Sequence, residues 1–209
     1  YNGEEMDGDG GTHTYGANPP AIGFDFFEGP YQDPNGLDDC SSYDNNKNLI
    51  CNECILNGNI NGLNFGDGII DNERWGMRRF VFWTSGGGAT GQPGVSTDYY
   101  NYLRGYWKDN VRMHYGGMGH PMAGATDIEA DFMMPGDSDP CGWGQGGIPM
   151  PVWTEETAGL RPSDRRIIQS SGPFVLAPGA VNDITIGAVW ARSYEGGLFA
   201  SVDKMLKND

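Results

Sequence analysis

Asn64, Asp67, Asp71, Asn72 and Glu73 place five oxygen-bearing side chains within ten positions of one another. Gly62, Gly66 and Gly68 stand among them and let the backbone fold around a common point. That is the chemistry a hard cation asks for, since calcium takes about six to eight oxygen ligands in a flexible loop. The segment is not an EF-hand. Asp67-Gly-x-x-Asp71 matches half of such a loop, and the first, third and last ligand positions fall on Leu63, Phe65 and Arg74. Two readings stand. One is an irregular calcium site built from Asn64, Asp67, Asp71 or Glu73 plus backbone carbonyls; the other is a turn held by ordinary Asn and Asp hydrogen bonds. Asp7 and Asp9, and the turn containing Asp33, Asp38 and Asp39, are further candidate ion ligands.

Other reactive groupings are thinner. His114 and His120 flank a Gly-rich turn, with Asp127 beyond, but lack the H-x-x-x-H spacing of a helical metal site. There is no G-x-S-x-G elbow to support a serine hydrolase. Asp25, Glu28, Asp131, Glu155 and Glu156 could be nominated for glycoside hydrolysis, which needs two facing carboxylates. Nothing in their spacing pairs them. Tyr99, Tyr100, Trp107, Trp143 and Trp153 could stack on a glycan, or fill a core beneath long loops. Arg74, Arg78, Arg79, Arg104, Arg165 and Arg166 stand out in an acidic chain, and we read them as partners of buried or stapling ion pairs with aspartates.

Cys40, Cys51 and Cys54 share one Asn- and Asp-rich stretch, and Cys141 lies far away. A single C-x-x-C without a second one does not make a zinc knuckle, and no βαβ pattern surrounds it. Structural disulfides in an exported protein are the better reading, with three connectivities open.

Composition sets the scaffold. The chain has 209 residues and a formal net charge of −15. Such a charge repels polyanions, so nucleic acid is excluded as an expected partner, as is an anionic membrane surface. No apolar run is long enough to insert in a membrane. Glycine accounts for 34 residues, roughly twice the ~7% average, and aromatics are plentiful, which favours short strands joined by turns. Strands are expected at 21–27, 74–84, 113–119, 173–176 and 182–191, with 167–171 ambiguous and Val189-Trp190 buried. Helices are expected at 96–108, capped by Ser96 or Thr97, and at 198–206. Residues 31–73 form a long loop of the kind that is functional or cross-linked. We expect a single mainly-β module over 1–209, with sandwich-like antiparallel sheets, long Gly/Asn/Asp-rich loops and one or two short helices. Beginning at Tyr1 without an initiator methionine, it reads as a segment of a longer protein.

Several stretches, taken in order, resemble one family. They are Tyr15-Gly-Ala-Asn-Pro-Pro-Ala-Ile-Gly-Phe-Asp-Phe-Phe-Glu-Gly-Pro30, Gly66-Asp-Gly-Ile-Ile-Asp-Asn-Glu-Arg-Trp-Gly-Met-Arg-Arg-Phe80 and Asp98-Tyr-Tyr-Asn-Tyr-Leu-Arg-Gly-Tyr-Trp-Lys-Asp109. Ala130-Asp-Phe-Met-Met-Pro-Gly-Asp137, Asp164-Arg-Arg166, Ser171-Gly-Pro-Phe174 and Val189-Trp-Ala-Arg192 extend the likeness over nearly the whole chain. It is similar to a module of large, mostly uncharacterised secreted and surface proteins of Bacteroidetes, of the kind exported by the type IX secretion system. The resemblance implies an extracellular or outer-surface location and a β-rich portion upstream. It brings no catalytic residues with it.

The expected function is therefore a non-catalytic structural or adhesive module, stiffened by calcium and disulfides and joined to the remainder of a larger extracellular chain or surface assembly. A glycan-binding module or a polysaccharide-acting enzyme is the first alternative. A subunit of a surface filament or layer is the second.

Overall fold

A computed structural model describes residues 18, 20–41, 43–46, 48–51, 62–160, 165–196 and 200–206. Asp7, Asp9, Cys54 and Asp164 lie outside the described residues, as do 198 and 199 at the start of the expected second helix.

The fold is mainly β, with two antiparallel two-stranded sheets and two short α-helices among the described residues. β1 (Ala21–Glu28) pairs with β4 (Thr185–Ala191), its register running from Ala21 opposite Ala191 to Glu28 opposite Thr185. β2 (Arg79–Trp83) pairs with β3 (Arg166–Ser170). The sheets are linked where the Gln169 side-chain amide donates to the Phe24 carbonyl at 3.2 Å. α1 (Ser96–Leu103) packs against β2 and β3, and α2 (Ala200–Leu206) against β1 and β4.

The core forms around β2, where Val81, Phe82 and Trp83 are all buried. Consecutive burial means that both faces of this strand are covered, so alternation alone could not say which face was inside. Trp83, Tyr102 and Trp107 make a chain of edge contacts, with ring centroids 5.2 and 5.4 Å apart. Each polar tip in this cluster has a partner, as buried aromatics require. Trp107 Nε1–H donates to Gly119 O at 2.6 Å, and Tyr102 Oη–H donates to Gly91 O at 2.6 Å. Burial pushes the Tyr102 phenol well above its ordinary range, which keeps it a donor.

Several local expectations are corrected. α1 ends at Leu103 rather than 108, because Gly105 turns the chain with φ +71°. Its N-cap is Val95, so neither Ser96 nor Thr97 caps it; the Asp98 carboxylate reaches back and accepts from the Gly94 N–H at 2.9 Å. Residues 113–119 form one isolated bridge, His114 to Glu129, and 173–176 are coil. Trp190 is 56% exposed rather than buried.

Arg74 ties the long loop to the sheet. Its backbone bridges both Tyr31 and Leu63. Its guanidinium donates to Gly29 O and Asp183 O, both at 2.8 Å, lies 3.7 Å from Glu28 and stacks 4.6 Å from the Tyr31 ring centroid. A planar fork with five donors can join three segments in this way; a lysine cannot. Arg74→Leu should therefore cost about 3 kcal/mol, since two carbonyls lose their donors. Ile186→Ala, at an exposed position, should stay within about 0.5 kcal/mol. Urea unfolding of both variants checks the contrast.

Candidate functional site

Two constellations hold the chain's chemistry. The first is the crossing of residues 33–39 with 64–73, where the sequence placed its calcium ligands. Here the carboxylates accept from backbone amides. Asp38 receives Gly66 N–H on one oxygen and Gly68 N–H on the other, each at 2.8 Å. Asp71 Oδ1 receives Asn35 N–H at 2.7 Å and Gly36 N–H at 2.8 Å. Asp67 accepts from Ile69 N–H and from the Asn72 side-chain amide. Asp39 accepts from the Asn35 side chain at 3.2 Å, and Asn64 donates to Asn72 O at 3.0 Å. Asp33 lies further off and accepts from Val175 N–H at 2.8 Å. Asn64 and Asp71 adopt left-handed backbone with φ 69° and 58°, a conformation that Asn and Asp tolerate better than most residues.

Glu73 differs from these acids. It is 2% exposed, and Oε1 accepts from Asp39 N–H at 2.7 Å. Next to it in sequence, Asn72 Oδ1 is buried and has no hydrogen-bond donor. Among the described residues no three His, Cys, Asp or Glu side chains converge on one metal position. The segment is thus an arrangement of reciprocal turns, with one buried carboxylate and one unsatisfied amide oxygen.

A disulfide fixes the far side of this loop region. Cys51 is bonded to Cys141, 90 residues away, and Cys40 is also disulfide-bonded. The chain-entropy model assigns a closed loop of that length about 4–5 kcal/mol.

The second constellation centres on Asp131. Its carboxylate meets Arg79 at 2.9 Å, Arg78 at 4.0 Å and Arg112 through a short charge-assisted bond. Arg112 also lies 3.8 Å from Glu129. Arg104 stacks over Tyr106 at 4.9 Å and Tyr100 at 5.4 Å. Gly105 is required at the centre, where a Cβ would lie 2.2 Å from Arg112 Nη1. Burial, with the neighbouring guanidiniums, pushes Arg79 down to about 10 against the pull of Asp131. Burial likewise raises the Asp131 carboxyl while the three arginines draw it down. At this close geometry we take the carboxylate as ionised, since one anion faces three cations.

Sequence reasoning nominated Asp131 as a glycosidase carboxylate and did not single out Arg112. The available signal was the density of arginines in a chain of net charge −15. Two more of the nominated acids meet arginines: Glu28 pairs with Arg74, and Glu155 with Arg165. Asp25 accepts from Phe26 N–H. His114 donates to Thr126 O, whereas His120 is buried, accepts from Met122 N–H on Nδ1 and so donates from Nε2 to Asp109. The two imidazoles serve separate turns.

Of the five nominated glycan-contact aromatics, Trp107, Trp143 and Trp153 are buried and form no exposed platform. They fill the core for the reason the large rings suggested: each covers a loop that has little other apolar material. Tyr99 and Tyr100 remain exposed on α1.

Replacing Asp131 by Asn should lower unfolding stability by about 3–5 kcal/mol, because three partly buried guanidiniums lose their counter-ion. Asp38→Ala should cost about 1–3 kcal/mol, since two loop amides lose their acceptors. Chemical denaturation reads both; a midpoint unchanged in either variant contradicts the role given to that carboxylate.

Comparison with protein-family models, with curated proteins and with solved structures found no match for this chain.

Proposed function

We propose that this chain is a non-catalytic structural or adhesive module of a large extracellular surface protein. The observation that carries the reading is the stapling of residues 31–74. The described residues of this stretch, polar and largely exposed, are held by carboxylate–amide bonds, by the Arg74 fork and by the Cys51–Cys141 bridge. Disulfides persist in oxidising compartments, which supports an extracellular location. No helix among the described residues is long and apolar enough to cross a membrane.

A partner surface suits the same reading. On one face of the β1–β4 sheet, Ile22, Phe24, Ile186 and Trp190 are each between 46% and 60% exposed, while Phe26 at the Ile186 end is buried. On the opposite face Ala21 and Ala191 are buried and Phe27 is exposed; α2 packs against both strands. An apolar sheet face of this kind suits contact with the adjoining β-rich portion of a longer chain.

Calcium is the proposed stiffening ion. The buried Glu73 carboxylate and the unsatisfied Asn72 Oδ1 are its best-fitting donors, with Asp38, Asp39, Asp67 and Asp71 supplying negative charge around them. Bound there, calcium would offset carboxylate repulsion in a segment with little core of its own.

Calcium at about 100 times its dissociation constant should add about 2.7 kcal/mol, or a rise in Tm of roughly 5–10 °C. Chelator should reverse that rise and speed proteolysis within 31–73, and reductant should speed it further. A Tm that calcium leaves unchanged removes the ion from the account. Protease resistance indifferent to both chelator and reductant removes the stiffened-scaffold reading itself.

A further inference from the structure

The arginines around Asp131 do more than neutralise it. Arg78, Arg79, Arg104 and Arg112 all line one open cleft of about 610 Å³, a volume typical of ligand sites. Among the described residues no carboxylate lines that cleft. Asp131 and Glu129 are the two anions paired with these arginines, and Glu129 is 69% exposed at 3.8 Å from Arg112. Among the described residues, four positive charges against two paired negative ones leave an excess of two. Arg104 pairs with no carboxylate among the described residues; its guanidinium plane is held instead by the Tyr100 and Tyr106 rings. This is a local excess of cation in a protein whose net charge is −15.

A purely structural ion-pair network would tend toward balance, because unpaired buried charge is costly. The excess here points outward. Arg79 and Arg112, with side chains only 16% and 11% exposed, are held in place by Asp131 and by backbone carbonyls, so little side-chain entropy is left to lose on binding. Planar guanidiniums match the geometry of carboxylate and sulfate oxygens. Burial already pushes Arg79 down to about 10, and a bound anion would favour its charged form.

The remaining walls say what carries the anion. Tyr100, 61% exposed, and Leu103, 41% exposed, line the cleft together with Pro173 and Phe174. Apolar faces flanking a cationic floor suit a ring with one polar edge and one C–H face. The hydroxyls of Ser170 and Ser171 are already committed, to Leu103 O and Gly76 O at 2.7 Å each, so recognition falls to the arginines and rings. A long polyanion is disfavoured by the overall charge. A short ligand held within a Debye length of about 8 Å feels the local cations instead.

We propose that this cleft is a binding site for a short saccharide bearing a carboxylate or sulfate group, with Arg104 as the main anion contact and the exposed Tyr100 ring as an apolar contact beside it. The site stands on the cleft alone and requires neither calcium nor the adhesive reading.

Calorimetric titration of the full chain at physiological salt tests it, using digalacturonate, a sulfated galactose disaccharide, neutral galactobiose and inorganic sulfate. At least one charged disaccharide should bind about tenfold more tightly than galactobiose and than sulfate alone. Arg104→Ala should weaken that binding about tenfold and Tyr100→Ala about threefold, with unfolding midpoints unchanged because both side chains are exposed. Failure of both charged disaccharides to bind below roughly 10 mM overturns the proposal. So does binding that survives Arg104→Ala. Sulfate binding as tightly as the saccharides would overturn the saccharide assignment.

Discussion

Backbone N–H groups in a loop need acceptors just as those in a sheet do, and this chain has few ladders to supply them. Its strands make only two pairs among the described residues. The rest of the structure follows from how that demand is met. Aspartates take the place of a neighbouring strand: Asp38 and Asp71 each bind two amides from a segment about thirty residues away in sequence. The acidity of the chain is thus partly a structural material. Other carboxylates take arginines as partners, as at Glu28 and Asp131, while the buried Glu73 keeps an amide partner. Beyond the reach of either, a disulfide closes the remaining gap.

This division of labour explains why so irregular a chain has a well-packed interior. β2 runs through the aromatic cluster with three consecutive buried residues, and the loops deliver Trp107, Met113, Met133 and Trp153 onto it. Loop residues reach the core because their polar backbone is satisfied elsewhere. The same economy leaves two surfaces open, the apolar face of the β1–β4 sheet and the cationic cleft beside α1.

Much of the fold was legible in the sequence because period-two patterning is local. Arg79–Trp83 and Thr185–Ala191 lie within segments expected to be strands, Ala21–Glu28 runs one residue past the expected 21–27, and the mainly-β class followed from glycine and aromatic content. The boundaries of α1 were less legible, since Gly105 outweighs the helical spacing of Trp107. The exposure of Trp190 depends on what packs over its face, which no local pattern records. At the candidate sites, residue types were informative and partners were not. Asp67, Asp71 and Glu73 were singled out as oxygen donors, yet whether a carboxylate meets a cation or an amide depends on which distant loop crosses it. Asp131 and Arg112 come together only through tertiary contact, and their positions show no motif spacing.

Backbone amide hydrogen exchange in the loop crossing tests the central claim most directly. If carboxylates serve as the missing strand, the N–H groups of Asn35, Gly36, Asp39, Gly66 and Gly68 should exchange slowly, as ladder amides do, despite their exposed setting. Exchange at the rate of an unstructured loop for all five would contradict the account.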